Sequence, residues 1–440
     1  MTGNIFKIKL LSPKYLLTLF LLIFAVSVLY LQSLKAPWVD ECYSYYGVWH
    51  DSFSEFYNSM LTGINFSPPL YFLFNFCLQL AFPTSIEQLR IQSLIFILIG
   101  IVLSFLLTRK IFGSGIAFVA TILVTSQSNL LLAQAQEARH YAMFFVCGVW
   151  VLSMQSIDNY NTKRINWLTF LAHFCLCQVH YLGIIFSGLV GLSFLITKKK
   201  QFFLKRIPLS IFAVWIFTIP VYLLLLNQQS SHLGNWPKPN GFSDLFGCYN
   251  DSYLILTFLI PSFTVLLTKQ TKKNKEALHT VESNSSSPII VTSFLWICVP
   301  LIFWVLSHVS SLNLFVDRYF IPKEIALTLL VACGLSYIFQ KLTQQKLHNI
   351  TLLGTFAGAI FLILISTKRR AFAMNKSTCY HHSLIIEETF PHSEQPIILE
   401  GDPKYFPNAY LGKNEYIFTY WPEPYIDIYK RFSTKIKILE

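Results

Sequence analysis

The chain has 440 residues, of which 54% are hydrophobic and 16% aromatic but only 13% charged, and its mean hydropathy is +0.50. Soluble domains carry about a quarter charged residues, so this composition excludes an ordinary soluble enzyme. The net charge of +12 does not mark a nucleic-acid partner, because Lys and Arg fall in short clusters between apolar runs, as membrane topology requires.

Lys7, Lys9 and Lys14 lead into the first apolar run, 15–34. That run reaches the ~20 residues needed to cross a bilayer, and Leu34-Lys35-Ala36 is a poor cleavage site, so it reads as an uncleaved first helix. In chain order, eleven spans are expected at 15–34, 91–108, 116–133, 141–157, 166–179, 181–197, 207–226, 253–268, 288–307, 321–340 and 350–366. The segment 35–90 breaks this rhythm. Its run after Pro68-Pro69 ends before Pro83, which is short for a span and suited to a helix lying at the interface. Two juxtamembrane helices are expected there. Residues 266–287 are polar and read as a flexible linker. The expected fold class is an all-α polytopic membrane domain, 1–366, followed by a small external α/β domain, 367–440. Ile397-Ile398-Leu399 and Tyr416-Ile417-Phe418-Thr419 are the strand-like pieces of that tail.

Charge sets the orientation. With the N-terminus inside, Arg109-Lys110, Lys163-Arg164, Lys198-Lys199-Lys200, Lys205-Arg206, Lys269, Lys272, Lys273, Lys275, Lys341 and Lys346 lie on cytoplasmic turns. Asp40, Glu41, Asp51, Glu55, Glu87, Glu137, Asp244, Asp251, Asp317 and Glu324 lie on the opposite side. That asymmetry follows the positive-inside rule. Lys368-Arg369-Arg370, after the last span, runs against it.

Four polar clusters then fall on the external face: Asp40-Glu41, Gln136-Glu137-Ala138-Arg139-His140-Tyr141, His180-Tyr181 and Asp317-Arg318-Tyr319. Each has a plain structural reading, as a helix cap, a surface charge cluster, an interfacial histidine or a local ion pair. Their convergence is the stronger observation. A charge at the bilayer centre costs about 2.5–3.5 kcal/mol even on insertion scales, so such residues pair, face a cavity or work. Adjacent helical residues do not share a face, so Asp40 rather than Glu41 is expected to meet a substrate. The nine cysteines form no CxxC pair, and no His/Cys/Asp constellation has metal-ligand spacing. No disulfide framework, metal or cofactor is expected.

At these clusters the sequence resembles the polytopic GT-C glycosyltransferases, among them protein O-mannosyltransferases, lipid A aminoarabinose transferases and related bacterial enzymes. Asp40-Glu41 matches their acidic pair in the first external loop. Ser67-Pro68-Pro69-Leu70-Tyr71 is close to their His-Pro-Pro-Leu-Tyr helix start, with serine in place of the histidine. Gln136 to Ala142 matches a Gln-Glu-Ala-Arg-x-Tyr-Ala segment, and Arg318-Tyr319-Phe320-Ile321-Pro322 an Arg-Tyr-x-x-Pro element. The resemblance implies a GT-C-like fold in a bacterial plasma membrane, with the site facing the exterior. It implies a polyprenyl-phosphate-linked sugar as donor, an acceptor hydroxyl on a protein, lipid or glycan, and inversion at the anomeric carbon. The roles it implies are Asp40 and Glu41 in catalysis, and Arg139, Arg318 and Tyr319 at the donor phosphate. Glu137, His140, Tyr141, His180, Tyr181 and Tyr71 would bind substrate. The main alternative is a transporter or flippase for a lipid-linked sugar. An O-acyltransferase using His173 or His308, or a structural subunit, fits less well.

Overall fold

A computed structural model of the chain describes residues 12–35, 37, 39–61, 67–82, 84–157, 165–197, 208–229, 239, 241–249, 286–310, 315–339 and 345–375, and three strands at 397–399, 416–418 and 436–438. Helix α1 (Pro13–Leu34) starts with proline in its first turn, where a missing N–H does no harm. Phe20, Phe24 and Val28 point inward while Leu22, Val26 and Leu29 are exposed. A helix apolar on both faces is a membrane helix.

Three short helices follow, α2 (Val39–Val48), α3 (Phe53–Leu61) and α4 (Leu70–Gln79), one more than the two expected. The reason lies in α3, whose Phe56 and Met60 are four residues apart and bury one face against Tyr71 and Phe76. Helix α5 (Ile86–Phe112) is capped by Ser85, whose hydroxyl accepts from Gln88 N–H at 3.1 Å. It ends at Gly113, where φ 84° and ψ 166° form a conformation open in practice only to glycine. The chain turns there directly into α6 (Ser114–Gln127). The expected span 116–133 is broken, because Ser128 takes an extended backbone and caps a new helix, α7 (Asn129–Gln134), accepting from Leu131 N–H at 3.0 Å.

The remaining helices are α8 (Tyr141–Ile157), α9 (Trp167–Val179), α10 (Gly183–Thr197), α11 (Leu209–Gln229), α12 (Phe242–Tyr249), α13 (Ser286–Val309), α14 (Lys323–Phe339) and α15 (Gln345–Asn375), with a 3-10 turn at Asp317–Phe320 before α14. Helices thus coincide with nine of the eleven expected spans, and 116–133 is divided between α6 and α7; the other, 253–268, and the expected linker 266–287 lie outside the described residues, apart from the linker's last two residues, which begin α13. Among the described residues, four helices are long and apolar enough to cross a membrane: Pro13–Leu34, Ile86–Phe112, Pro288–Val309 and Thr351–Ala373. Several others are apolar but shorter.

Trp296, Phe118, Phe144, Phe145 and Phe186 are fully buried between the helices. The outer faces are also apolar: Phe212, Ile216, Phe217, Leu223 and Leu224 on α11, and Leu301, Ile302, Val305 and Leu306 on α13, are exposed. Apolar surface on this scale belongs against lipid, and the protein is a multi-pass membrane protein. Between helices, Gln155 donates to Ser193 at 3.1 Å and Thr292 at 2.9 Å, tying α8, α10 and α13 together.

Helix α15 runs beyond the expected boundary at 366, and its Arg370 donates to the carbonyl of Asn129 at 2.8 Å. Its last turns therefore stand at the end of the bundle where α7 begins. Strands β1 (Ile397–Leu399), β2 (Tyr416–Phe418) and β3 (Ile436–Ile438) pair in parallel in that order. The first two are the strand-like pieces expected from the sequence.

Candidate active site

The end of α1 and the starts of α2, α5 and α8 meet at one buried ion pair. Arg90 Nη2 and Nε donate to the two oxygens of Glu41 at 2.6 and 2.8 Å, with both side chains at least 97% buried. Glu41 also accepts from the backbone N–H of Ala138 at 2.9 Å. Arg90 donates further to the carbonyl of Lys35 at 2.7 Å, and Gln32 links the carbonyls of Arg90 and Ala135. A forked guanidinium satisfied on every side is the arrangement a buried charge needs. This latch fastens the loop 135–140 to α2.

Its geometric consequence is the placement of Asp40. That carboxylate lies 3.0 Å from Arg318 Nη2 and 3.9 Å from Arg139 Nη2. Arg139 is itself fixed by donating to the carbonyl of Asp40 at 2.9 Å and the hydroxyl of Ser44 at 3.1 Å. Both guanidiniums lie over the ring of Tyr141, 5.7 and 5.8 Å from its centre, a cation–π arrangement. Burial opposes the charge on Arg318, but Tyr141 and Asp40 outweigh it and raise its pKa above the ordinary value.

Beneath these charges is an aromatic layer. His180 lies 5.3 Å from His140 and 4.8 Å from Tyr319, centre to centre, and Tyr141 is 6.0 Å from Tyr319. Burial, then Arg139 and Arg318, hold the His180 pKa down to about 3. Burial, then Arg139, likewise lowers that of His140. Both rings are neutral near pH 7. Since Leu182 N–H donates to His180 Nδ1 at 3.1 Å, the neutral ring carries its proton on Nε2. His140 Nε2 is 3.3 Å from the hydroxyl of Ser67, the residue standing where the resembling families have histidine. Burial raises the pKa of Tyr71 and Tyr319, so both keep their hydroxyl protons as hydrogen-bond donors. Among the described residues, no group of three or more His, Cys, Asp or Glu could hold a metal ion.

The structure thus brings Asp40, Arg139, Arg318, Tyr319, His140, Tyr141, His180 and Tyr71 into one neighbourhood. Glu137 is at its edge, paired with Lys35 at 3.1 Å. Two of the expected residues differ. Glu41 is consumed by the latch, as the turn between helical neighbours requires. Tyr181 faces away and packs edge-on against Tyr222, 4.9 Å between centres. Sequence reading passed over Arg90, which is visible as the single arginine at the head of an apolar run. It also missed Gln134 and Arg370, whose approach to the site depends on packing between distant helices. Beside Arg318 is a cavity of about 320 Å³, lined also by Gln134, Glu137, Asp317 and Arg370.

The described residues form a bundle of membrane helices with an ArnT-like fold, in which Arg318 faces the acidic pair that follows the first helix. Solved structures of that fold match almost the whole chain. ArnT from Cupriavidus metallidurans bound to undecaprenyl phosphate aligns with a TM-score of 0.60 at 12% identity, covering 96% of this chain and 88% of that one. Its apo state gives 0.59 at 13% identity, with the same coverage. No protein-family model and no curated protein sequence matches the chain.

Proposed function

We propose that the chain is a glycosyltransferase that moves one monosaccharide from a polyprenyl-phosphate donor to an acceptor hydroxyl, inverting the anomeric carbon. The observation that carries this reading is the Asp40 carboxylate facing Arg318 and Arg139 at a junction of helix ends. The undecaprenyl phosphate in the ArnT structure supports a polyprenyl carrier. The positive-inside pattern supports eleven crossings, an extracytoplasmic site, and a tail after 375 on the same side.

The acceptor oxygen attacks the anomeric carbon and its proton passes to Asp40, a general-base contribution of typically ~10²–10⁴-fold. The bond from that carbon to the phosphate oxygen breaks, and its electron pair stays on the departing polyprenyl phosphate. Negative charge on the phosphate therefore grows in the transition state. Arg318 and Arg139 then bind the transition state more strongly than the ground state, which is the condition for catalysis. An arriving donor phosphate takes over the guanidiniums that Asp40 holds in the free protein, and releases the carboxylate for the acceptor. Tyr319 donates to the same phosphate, and His180 offers Nε2–H. Glu41 acts through position alone.

The test is transfer of radiolabelled sugar from a panel of polyprenyl-phosphate monosaccharides by purified protein and its Asp40→Asn form. Wild type should release or transfer label, and the variant should lose about 10²-fold or more while eluting as the same monodisperse species. Undiminished transfer by the variant would remove Asp40 from the role of base. Absence of both turnover and donor binding in wild type would shift the reading to lipid-linked sugar transport.

A further inference from the structure

Apart from Arg318, the residues that line the cavity beside it have no role in the chemistry above, and the lining has a definite character. Its two guanidiniums, Arg318 and Arg370, face two carboxylates, Glu137 and Asp317, so the lining has no formal net charge. Each charge already has company. Glu137 meets Lys35 at 3.1 Å, Asp317 accepts from the Arg318 N–H at 2.6 Å, and Arg370 donates to the Asn129 carbonyl at 2.8 Å. Gln134 adds an amide that is 96% buried, with Nε2 donating to Glu137 at 3.2 Å and Oε1 buried without a hydrogen-bond partner. A buried orphan acceptor calls for a donor from elsewhere.

An anion entering here would meet two carboxylates, and an acyl chain would strand every one of these groups. A neutral molecule whose hydroxyls both donate and accept satisfies carboxylate, amide and guanidinium together. At about 320 Å³ the space is at the low end of small-molecule sites, which run from ~300 to ~1,000 Å³, and suits one sugar ring rather than a chain of them. Arg318 lines the cavity and touches Asp40, so a ring held here lies next to the reacting atoms.

We propose that this cavity is the binding subsite for a single neutral monosaccharide ring, with Gln134 and Arg370 as its specificity-determining residues. This rests on the glycosyltransferase reading for its purpose but not for its test. Ring and hydroxyl chemistry would be the same for the sugar being transferred and for a sugar acceptor.

Saturation-transfer NMR on the full chain in nanodiscs, with a panel of neutral methyl glycosides, reads binding without turnover. At least one glycoside should give a signal that falls several-fold in Gln134→Leu and in Arg370→Gln, while Arg370→Lys keeps part of it. Steady-state kinetics distinguish the sources: the variants should raise KM about tenfold or more for either donor or acceptor, with a smaller change in kcat. A rise for the donor assigns the transferred sugar, and a rise for the acceptor assigns the acceptor sugar. No glycoside signal in wild type, or signals equal in wild type and both variants, would overturn the proposal. A glycoside signal in a protein that transfers nothing would leave the subsite standing and remove the transferase reading.

Discussion

Asp40 and Glu41 are neighbours on α2, and a helix turns about 100° between successive residues, so their carboxylates leave in different directions. One reaches Arg318 and Arg139, and the other closes on Arg90. Removing one partner of a buried pair leaves an uncompensated charge, which costs about 3–5 kcal/mol. Glu41→Gln should therefore lower the thermal midpoint in detergent sharply. The paired replacement Glu41→Leu with Arg90→Met should recover much of that loss but not transfer activity, because Asp40 and Ala138 lose their shared anchor. A double variant as unstable as the single one would show that the latch is not an ion-pair effect. The histidines make a second prediction at this scale. His180 is held at about 3 against an ordinary 6.5, so its neutral form contributes stability that is full above pH 6.5. That stability is lost as pH falls from 6.5 toward 3, because the unfolded chain takes up a proton that the folded site refuses. Each such histidine contributes a slope of up to about 1.4 kcal/mol per pH unit. Thermal midpoints measured from pH 7.5 to 5 should fall, and His180→Gln should flatten part of the fall. A level profile would contradict neutral burial.

At the scale of elements, the site depends on how helices end. The α9–α10 turn presents His180, and it can be tight because Gly183 lies against α9. A Cβ at residue 183 would sit 2.2 Å from the Leu176 carbonyl oxygen and 2.7 Å from the Cys177 Cα. Those are backbone atoms and cannot step aside. Tyr222 on α11 holds the same turn by donating to the carbonyls of Cys177 and His180. Gly183→Ala should therefore give low yields of folded protein, whereas Tyr222→Phe should destabilise by about 1 kcal/mol or somewhat more, with both read as detergent thermal midpoints. Similar losses for the two would mean that the turn is not set by the close approach. The break at Ser128 acts in the same way. It ends α6 short and starts α7, which aims Gln134 and the Glu137–His140 loop at the site. Ser128→Ala should cost about 1 kcal/mol.

For the whole molecule, the proposed orientation has a direct consequence. Residues after Asn375 follow a helix whose Arg370 reaches Asn129 at the site end of the bundle. A periplasmic phosphatase reporter fused after residue 375 should be active, and a fluorescent protein fused there should stay dark. The same fusions after Gly113, between α5 and α6, should give the reverse. Fluorescence after 375 would require an even number of crossings and an inward tail.

Sequence alone was enough to establish that the chain lives in a bilayer and roughly where its helices run. Hydropathy over ~20 residues is a one-dimensional property of the chain, and bilayer thickness reads it directly. It also named most of the candidate site, since charged residues at the ends of apolar runs are conspicuous. The division between Asp40 and Glu41 was legible in part, from helical periodicity. Only the tertiary structure decided that Arg90 takes Glu41, that Tyr181 turns away while His180 turns in, and that Arg370 joins Arg318 across more than fifty residues of intervening chain. Those outcomes depend on which helices touch, at what rotation and with which ends together. Packing between distant segments fixes all three, and no local pattern of residues contains them.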